Sequence, residues 1–403
     1  MRILFLSRWF PFPADNGSKI RIYNLLRGIA EKHEVRLISF VTDPIDDEHL
    51  KAMQALCTGV DTILYHPFQS NSLKSKLGFL SPAPRSFIDT HSEEFAARVE
   101  QAGREEKFDL VVGSQWDTIP YMLDAPALRH TPKLLEEVEI SIYRNQILHA
   151  KTPAQKLRKR VMWDKWRYFM NQSLARLDGC TVVSKPEIAP ILECRPGYAP
   201  IGVIPNGADI EYFTGDFGPP EPDSVVYTGA MTYYVNFEAM KWFLGEIWPR
   251  VVAQVPAARL YMCGKYTGVP VHELPKYDNA ILGGYYPDIR PRIAQSTVSI
   301  VPELLGGGTR IKVLESMAIG TPVVSSIPGA NGLGLTDGHD VLIANEPGPF
   351  ADAVVRVLKD AQLRQTLSIN GRATIEAKYD WRVIAGQLND FMTQVVERAK
   401  ARV

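Results

Sequence analysis

Two series of short β-rich runs, each run followed by a helical one, constrain this chain more than any other feature. RILFLS leads into SKIRIYNLLRGIAEKH, where Ile22, Leu25, Leu26 and Ile29 recur at the i, i+3, i+4, i+7 spacing of a single helix face. Further strand candidates are EVRLISFV, VDTILYH, FDLVVGS, PKLLEE and DGCTVVS. Between them lie helical stretches such as SEEFAARVEQAGREEK and AQKLRKRVMWDKWRYFMNQSLARL. Strands that alternate with helices assemble into a parallel sheet covered on both faces.

The rhythm breaks at IGVIPNGADIEYFTGDFGPPEPDS, residues 201–224, where four prolines and four glycines favour irregular chain. This reads as a linker. Alternation then resumes with VVYTG, a long helix from about Asn236 to Val252, ARLYMCG, AILGGY, VSIVPE, TRIKVLESMAIG, PVVSS and VLIA, and ends in helices. At 403 residues the chain is too long for one ordinary core. The expected architecture is therefore α/β: two doubly wound Rossmann-like domains, 1–212 and 213–380, with a terminal helix over 381–403. Ligands bind such sheets outside the carboxyl ends of the strands, so a site drawn from widely separated segments is expected.

Composition excludes several function classes. Lys plus Arg and Asp plus Glu each number 45, so no global field exists to hold nucleic acid. The four cysteines, Cys57, Cys180, Cys194 and Cys263, form no CxxC pair, which suits a reduced, cytoplasmic protein. The apolar run after Met1 is too short for a signal core or a membrane span. The eight histidines are scattered and no Asp-x-Asp motif is present, so neither a metal nor another cofactor is expected. DNG at 15–17 and DGHD at 337–340 read as turns.

PELLGGGTRIKVLESMAIGTPVVSS, residues 302–326, carries the chemistry. Gly306, Gly307 and Gly308 follow a strand and admit a ligand close to the main chain, and the next helix aims free N–H groups at the same spot. Phosphate is the natural occupant. Arg310 can chelate phosphate through its planar fork, and Lys312 supplies a point charge. Lys312 and Glu315 share a helix face, so a local ion pair between them is the competing structural reading.

GGGTRIKVLESMAIGTPVVSS, with VIPNGADIEYF about 100 residues earlier and with GAMTYYVNFEAMKWF and GGYYPDIRPRIAQS, resembles the retaining nucleotide-sugar glycosyltransferases of family 4. Within that family the chain is most similar to sugar transferases of bacterial exopolysaccharide clusters. The resemblance implies the GT-B fold, in which a donor-binding second domain faces an acceptor-side first domain across a cleft and the last helix crosses back to the first domain. Closure would hinge near residues 205–220 and about 381. It places donor phosphate and nucleotide at Gly307, Gly308, Thr309, Arg310 and Ile311, the ribose on Glu315, and the base near the main chain of Gly264 and of Tyr285 to Asp288, Tyr286 among them. It also places Gly17, in the loop FPFPADNGSKIR, opposite the donor; Ser18 there reads as an N-cap, and Gly17 as a turn residue is the plainer alternative.

Two positions depart from the family pattern. Gly307 stands where the family usually has a sugar-binding glutamate, with Glu303 four residues back as a substitute. YTGAMTYYVNFE lacks the usual Arg and Lys grip on the diphosphate. Arg310 and Lys312 are the local cations to take over that work.

After FDLVVG come Ser114 and Asp117, near where family members orient the acceptor; either residue could instead cap the next helix. No positioned carboxylate nucleophile stands out, so a same-face reaction is expected, with Arg310 and Lys312 stabilising the leaving diphosphate. The function expected is transfer of a hexose-type sugar from a UDP- or GDP-sugar to a hydroxyl of a saccharide, lipid-linked or small-molecule acceptor. The alternatives are a nucleotide-sugar 2-epimerase and a non-catalytic binding subunit of a polysaccharide assembly. A dinucleotide oxidoreductase is disfavoured, because SRWFPFPADNGS and not GxGxxG follows the first strand. The basic, aromatic stretch 151–176 suits either peripheral contact with the inner membrane face or a surface helix packing its aromatics inward; the second reading is preferred.

Overall fold

The computed structural model describes residues 1–145, 147, 150, 152–305 and 310–402. Contacts divide the chain into two units. The first comprises Met1–Pro205 with Ile384–Val403, and the second comprises Asn206–Val383.

Seven strands build the first unit: β1 (Arg2–Ser7), β2 (Glu34–Val41), β3 (Gly59–Leu64), β4 (Leu110–Ser114), β5 (Lys133–Glu136), β6 (Gly179–Val182) and β7 (Ile201–Val203). They lie in the order β3-β2-β1-β4-β5-β6-β7, and every pairing is parallel. Near-continuous apolar runs mark strands buried on both faces, as RILFLS and EVRLISFV show: past its first residue each strand is buried throughout. One side is filled by Leu4, Leu6, Phe40, Phe95 and Trp166, among others. β7 lies inside the Pro- and Gly-rich segment that reads as a linker. Its three residues complete a sheet edge, and a run that short leaves no periodic signature.

The first helix, Gly17–Ala30, is capped by Asn16, whose side chain accepts from Lys19 N at 3.1 Å. The cap expected at Ser18 is thus two residues earlier. The last helix, Trp381–Lys400, lies on the first helix. A Cβ on Gly28 would come within 2.2 Å of Ala385 Cβ, so a bare glycine allows the approach, and Asn389 Nδ2 donates to Gly28 O at 3.2 Å.

Six strands build the second unit: β8 (Glu221–Thr228), β9 (Arg259–Cys263), β10 (Ala280–Gly284), β11 (Ser296–Val301), β12 (Val323–Ser325) and β13 (Leu342–Ile343). They too are all parallel, in the order β10-β9-β8-β11-β12-β13. The long helix expected at 236–252 is two α-helical pieces, Tyr234–Trp242 and Trp248–Gln254, joined by a π-helical turn over Phe243–Ile247. Phe243, Leu244, Ile247 and Trp248 are fully buried there.

In each unit chain order reverses direction across the sheet at a single point, between β1 and β4 and between β8 and β11. In open α/β sheets the crevice at the carboxyl ends of such a strand pair is where ligands bind.

Candidate functional site

At the switch point of the second unit, β8 delivers Tyr227, and Glu303 lies two residues past the end of β11, both buried. The helix Ile311–Ala318 follows, with Arg310 as its N-cap residue in extended conformation. Lys312 reaches back from the first turn. Its Nζ lies 2.6 Å from Glu303 Oε1, 2.9 Å from Tyr227 OH and 3.1 Å from Asn236 Oδ1. Lys312 therefore pairs with Glu303 and not with Glu315, the partner that helix spacing offers. An ammonium has three donors, and these three oxygens use all of them. Burial pushes the Lys312 pKa down, and the Glu303 carboxylate opposes that shift.

Arg310 is left differently. Its Nη2 donates to Leu305 O at 2.9 Å, and its buried Nε has no partner among the described residues. Of the two cations, Arg310 is the one with donors to spend. Glu303 Oε2 is likewise buried and unpartnered. Glu315 is partly buried and its carboxyl group makes no hydrogen bond among the described residues; burial pushes that carboxyl up to about 7, against the pull of Lys312. Ile311 is the first residue of the helix and partly buried. Gly307, Gly308 and Thr309 lie outside the described residues.

Gly264 follows β9 with φ +148°, and a Cβ there would clash with Gly229 O. Its bareness serves the close approach of two strand ends, with Gly264 N donating to Gly284 O at 2.7 Å. The Tyr286 hydroxyl would lie 2.8 Å from a Cβ on Gly283, so the ring folds back onto β10, and burial raises its pKa. Asp288 is held by Arg290 at 2.8 Å, and that guanidinium lies 3.8 Å from the Tyr212 ring centroid.

The first unit gathers its polar residues at its own switch point. Ser7 pairs in register with Ser114, and Arg8, Trp9, Gln115 and Asp117 continue from those strand ends. Gln115 and Glu137 have φ of 66° and 60°, two of the three positive values among described non-glycine residues. Strain of this kind persists where surrounding contacts over-determine it, and it clusters at functional sites. Gln115 receives a bond from Trp9 Nε1 at 3.1 Å and donates to Ser18 Oγ at 3.3 Å and Glu137 Oε2 at 3.2 Å. Burial pushes the Glu137 carboxyl well up, with Arg21 opposing.

Ser114 is fully buried, and its hydroxyl donates to Glu136 Oε2 at 3.3 Å. Asp117 is partly buried in the turn Trp116–Thr118; desolvation lifts its carboxyl to about 6, and the Arg8 charge opposes this. Arg8 stacks 3.2 Å from the Tyr65 ring centroid and keeps a buried Nη1 with no partner among the described residues. Gly17 is exposed at the start of the first helix.

Below this layer Arg21 and Glu136 form an ion pair with both side chains fully buried. Arg21 also donates to Pro205 O at 2.9 Å and Ile204 O at 2.8 Å. Sequence reasoning missed Arg8, Arg21, Glu136, Glu137 and Tyr227. A signal for Arg21 existed: it lies four residues before Leu25, on the apolar face, where a charge requires a buried partner.

Residues 222–360 match the family described as "Glycosyl transferases group 1". A Klebsiella pneumoniae protein, described as an uncharacterised 44.6 kDa protein in the cps region, is 22% identical over 390 residues, covering 94% of this chain and 96% of its own. Among solved structures, sucrose-phosphate synthase from Thermosynechococcus elongatus superposes with a TM-score of 0.69 at 19% identity, over 98% of this chain and 99% of that one. Anabaena HepE, solved with UDP and glucose, gives 0.66 at 15% identity, over 98% and 100%. Both likenesses concern the fold. The family match spans nearly the whole of the second sheet, and the order of the quoted sequence segments agrees with it: the second unit carries a domain of the group 1 glycosyltransferases, in a chain whose fold is GT-B.

Proposed function

We propose that this glycosyltransferase, which takes its sugar from a nucleotide-sugar donor, transfers a hexose-type sugar from a UDP- or GDP-sugar with retention at the anomeric carbon. The acceptor is a hydroxyl of a growing polysaccharide or of its lipid-linked precursor. One observation carries the reading: Arg310 stands at a helix N-terminus on the β8/β11 switch point with unspent donors, beside a Lys312 whose donors are all taken. A leaving diphosphate would find the Arg310 fork and the first-turn N–H groups there. Lys312 would act as a positioning residue. By tying Glu303, Tyr227 and Asn236 together it fixes the helix start against the β8 turn.

Glu315, without a hydrogen bond, suits the ribose hydroxyls. The free oxygen of Glu303 is the nearest acceptor for a sugar hydroxyl in place of the glutamate absent at Gly307. On the acceptor side, Asp117 is a better candidate than Ser114, whose hydroxyl is fully buried and engaged. Attack on the face that the diphosphate leaves needs no protein nucleophile; a diphosphate oxygen takes the acceptor proton. The UDP that accompanies Anabaena HepE and the cps region of the Klebsiella relative support the choice of nucleotide and of pathway class.

Arg310→Ala should lower turnover of donor hydrolysis or transfer by about 10²–10³-fold, the usual loss for one charge-stabilising donor, while the melting temperature stays near that of the parent. Thermal shifts with UDP and GDP name the nucleotide, since a ligand at 100 times its Kd stabilises by about 2.7 kcal/mol. An Arg310→Ala protein with parental turnover sinks the assignment.

A further inference from the structure

Beside the helix Pro153–Leu174, the first unit leaves several large apolar side chains mostly exposed, Phe79 with the Arg85 guanidinium 3.9 Å from its ring centroid. Leu80 is 88% exposed, Leu73 73%, Leu157 66% and Phe79 59%. Single exposed apolar residues are ordinary, whereas contiguous ones mark an interaction surface. Leu73, Phe79 and Leu80 share one short segment, and Leu157 stands on the helix to which that segment is tied. Lys165 Nζ donates to Phe79 O at 2.8 Å and Gly78 O at 3.4 Å, which pins the 73–80 segment to the long helix. Leu157 and Val161 precede Lys165 by eight and four residues, so all three lie on one helix stripe that runs onto that segment. The aromatic face of the helix points the other way: Trp163 and Trp166 are 5% and 2% exposed.

Charge is concentrated at the same place. Between 152 and 168 stand Lys156, Arg158, Lys159, Arg160, Lys165 and Arg167 against Asp164 alone. Segment 68–80 adds Lys74 and Lys76 and no carboxylate. In a chain with 45 charges of each sign this excess is local, and it needs an anionic counterpart. A second copy cannot supply it, because a two-fold interface would set these cations against themselves.

We propose that this face of the first unit sits on an anionic lipid bilayer. Leu73, Leu77, Leu80, Leu157 and Val161 enter the headgroup–acyl boundary, and the flanking Lys and Arg meet lipid phosphates. No helix of the described residues is long and apolar enough to cross a membrane, so the contact is with the surface. The proposal is independent of the transfer chemistry.

Co-sedimentation of the full chain with vesicles of equal parts phosphatidylglycerol and phosphatidylcholine, against phosphatidylcholine alone, tests it. Binding should require phosphatidylglycerol and fall steeply with salt. It should weaken about tenfold or more in Arg158→Glu/Arg160→Glu, at roughly fivefold per charge, and should be lost in Leu77→Ser/Leu80→Ser. All four side chains are exposed, so melting temperatures should match the parent. Absence of parental binding, binding indifferent to phosphatidylglycerol, or variants that bind like the parent overturns the proposal. So does light scattering that shows a dimer which Leu77→Ser/Leu80→Ser dissociates.

Discussion

A carboxylate held without a hydrogen bond among the described residues, as that of Glu315 is, stores a preference for its proton. Its ordinary pKa is 4.5 and burial pushes it up to about 7. Between those values the folded protein binds a proton that the unfolded chain releases, so this group's contribution favours the fold below about pH 4.5 and declines as pH rises to about 7. Asp117, lifted to about 6, acts in the same direction over a lower window. Glu315→Gln should therefore flatten the dependence of melting temperature on pH between about 5 and 7 and weaken nucleoside diphosphate binding. Calorimetric melts across that range check the first expectation, and titration with UDP or GDP checks the second. Residues that answer to their own neighbours in sequence were readable. Arg310 stands at the start of a helix, as the strand-to-helix reading of its segment expects. Lys312 was not readable in the same way, because its partner is set by strand order and not by helix spacing.

Elements are tied across the first unit by one buried ion pair. Arg21 on the first helix meets Glu136 on β5, which also accepts from Ser114 on β4. Removing one partner of such a pair typically costs about 3–5 kcal/mol, because the other charge stays buried alone. Arg21→Leu should therefore unfold the first unit early in denaturant, and Arg21→Leu/Glu136→Leu should recover part of the loss. Tryptophan fluorescence from Trp163 and Trp166, both in that unit's core, reports the transition. Element identity was legible wherever apolar residues kept a period of 3.6 or ran unbroken, as in Gly17–Ala30 and Arg2–Ser7. It failed for β7, too short to have a period, and at Phe243–Ile247, where a π-helical turn interrupts one.

The whole molecule is two parallel sheets whose strand orders each turn at a switch point, and that much follows from alternation alone. What alternation leaves out is that the chain's final stretch belongs with its beginning. Ala385, Leu388, Met392 and Val395 are buried, and Gly28 is bare so that this helix can lie against it. A chain ended after Val383 should keep its second sheet but expose the groove at Gly28, giving aggregation that the intact protein does not show. Size-exclusion chromatography of that truncation decides the point.

The order of synthesis follows from the same docking. More than half the chain lies between Gly28 and the helix that covers it, so on the ribosome the amino-terminal unit waits, incomplete, while the second unit is made and can fold. At about 5–20 residues per second the second unit, Asn206–Val383, takes roughly 9 to 36 seconds to make, long enough for chaperones to hold the open groove. The groove at Gly28, translated early, is among the last parts of its unit to be finished.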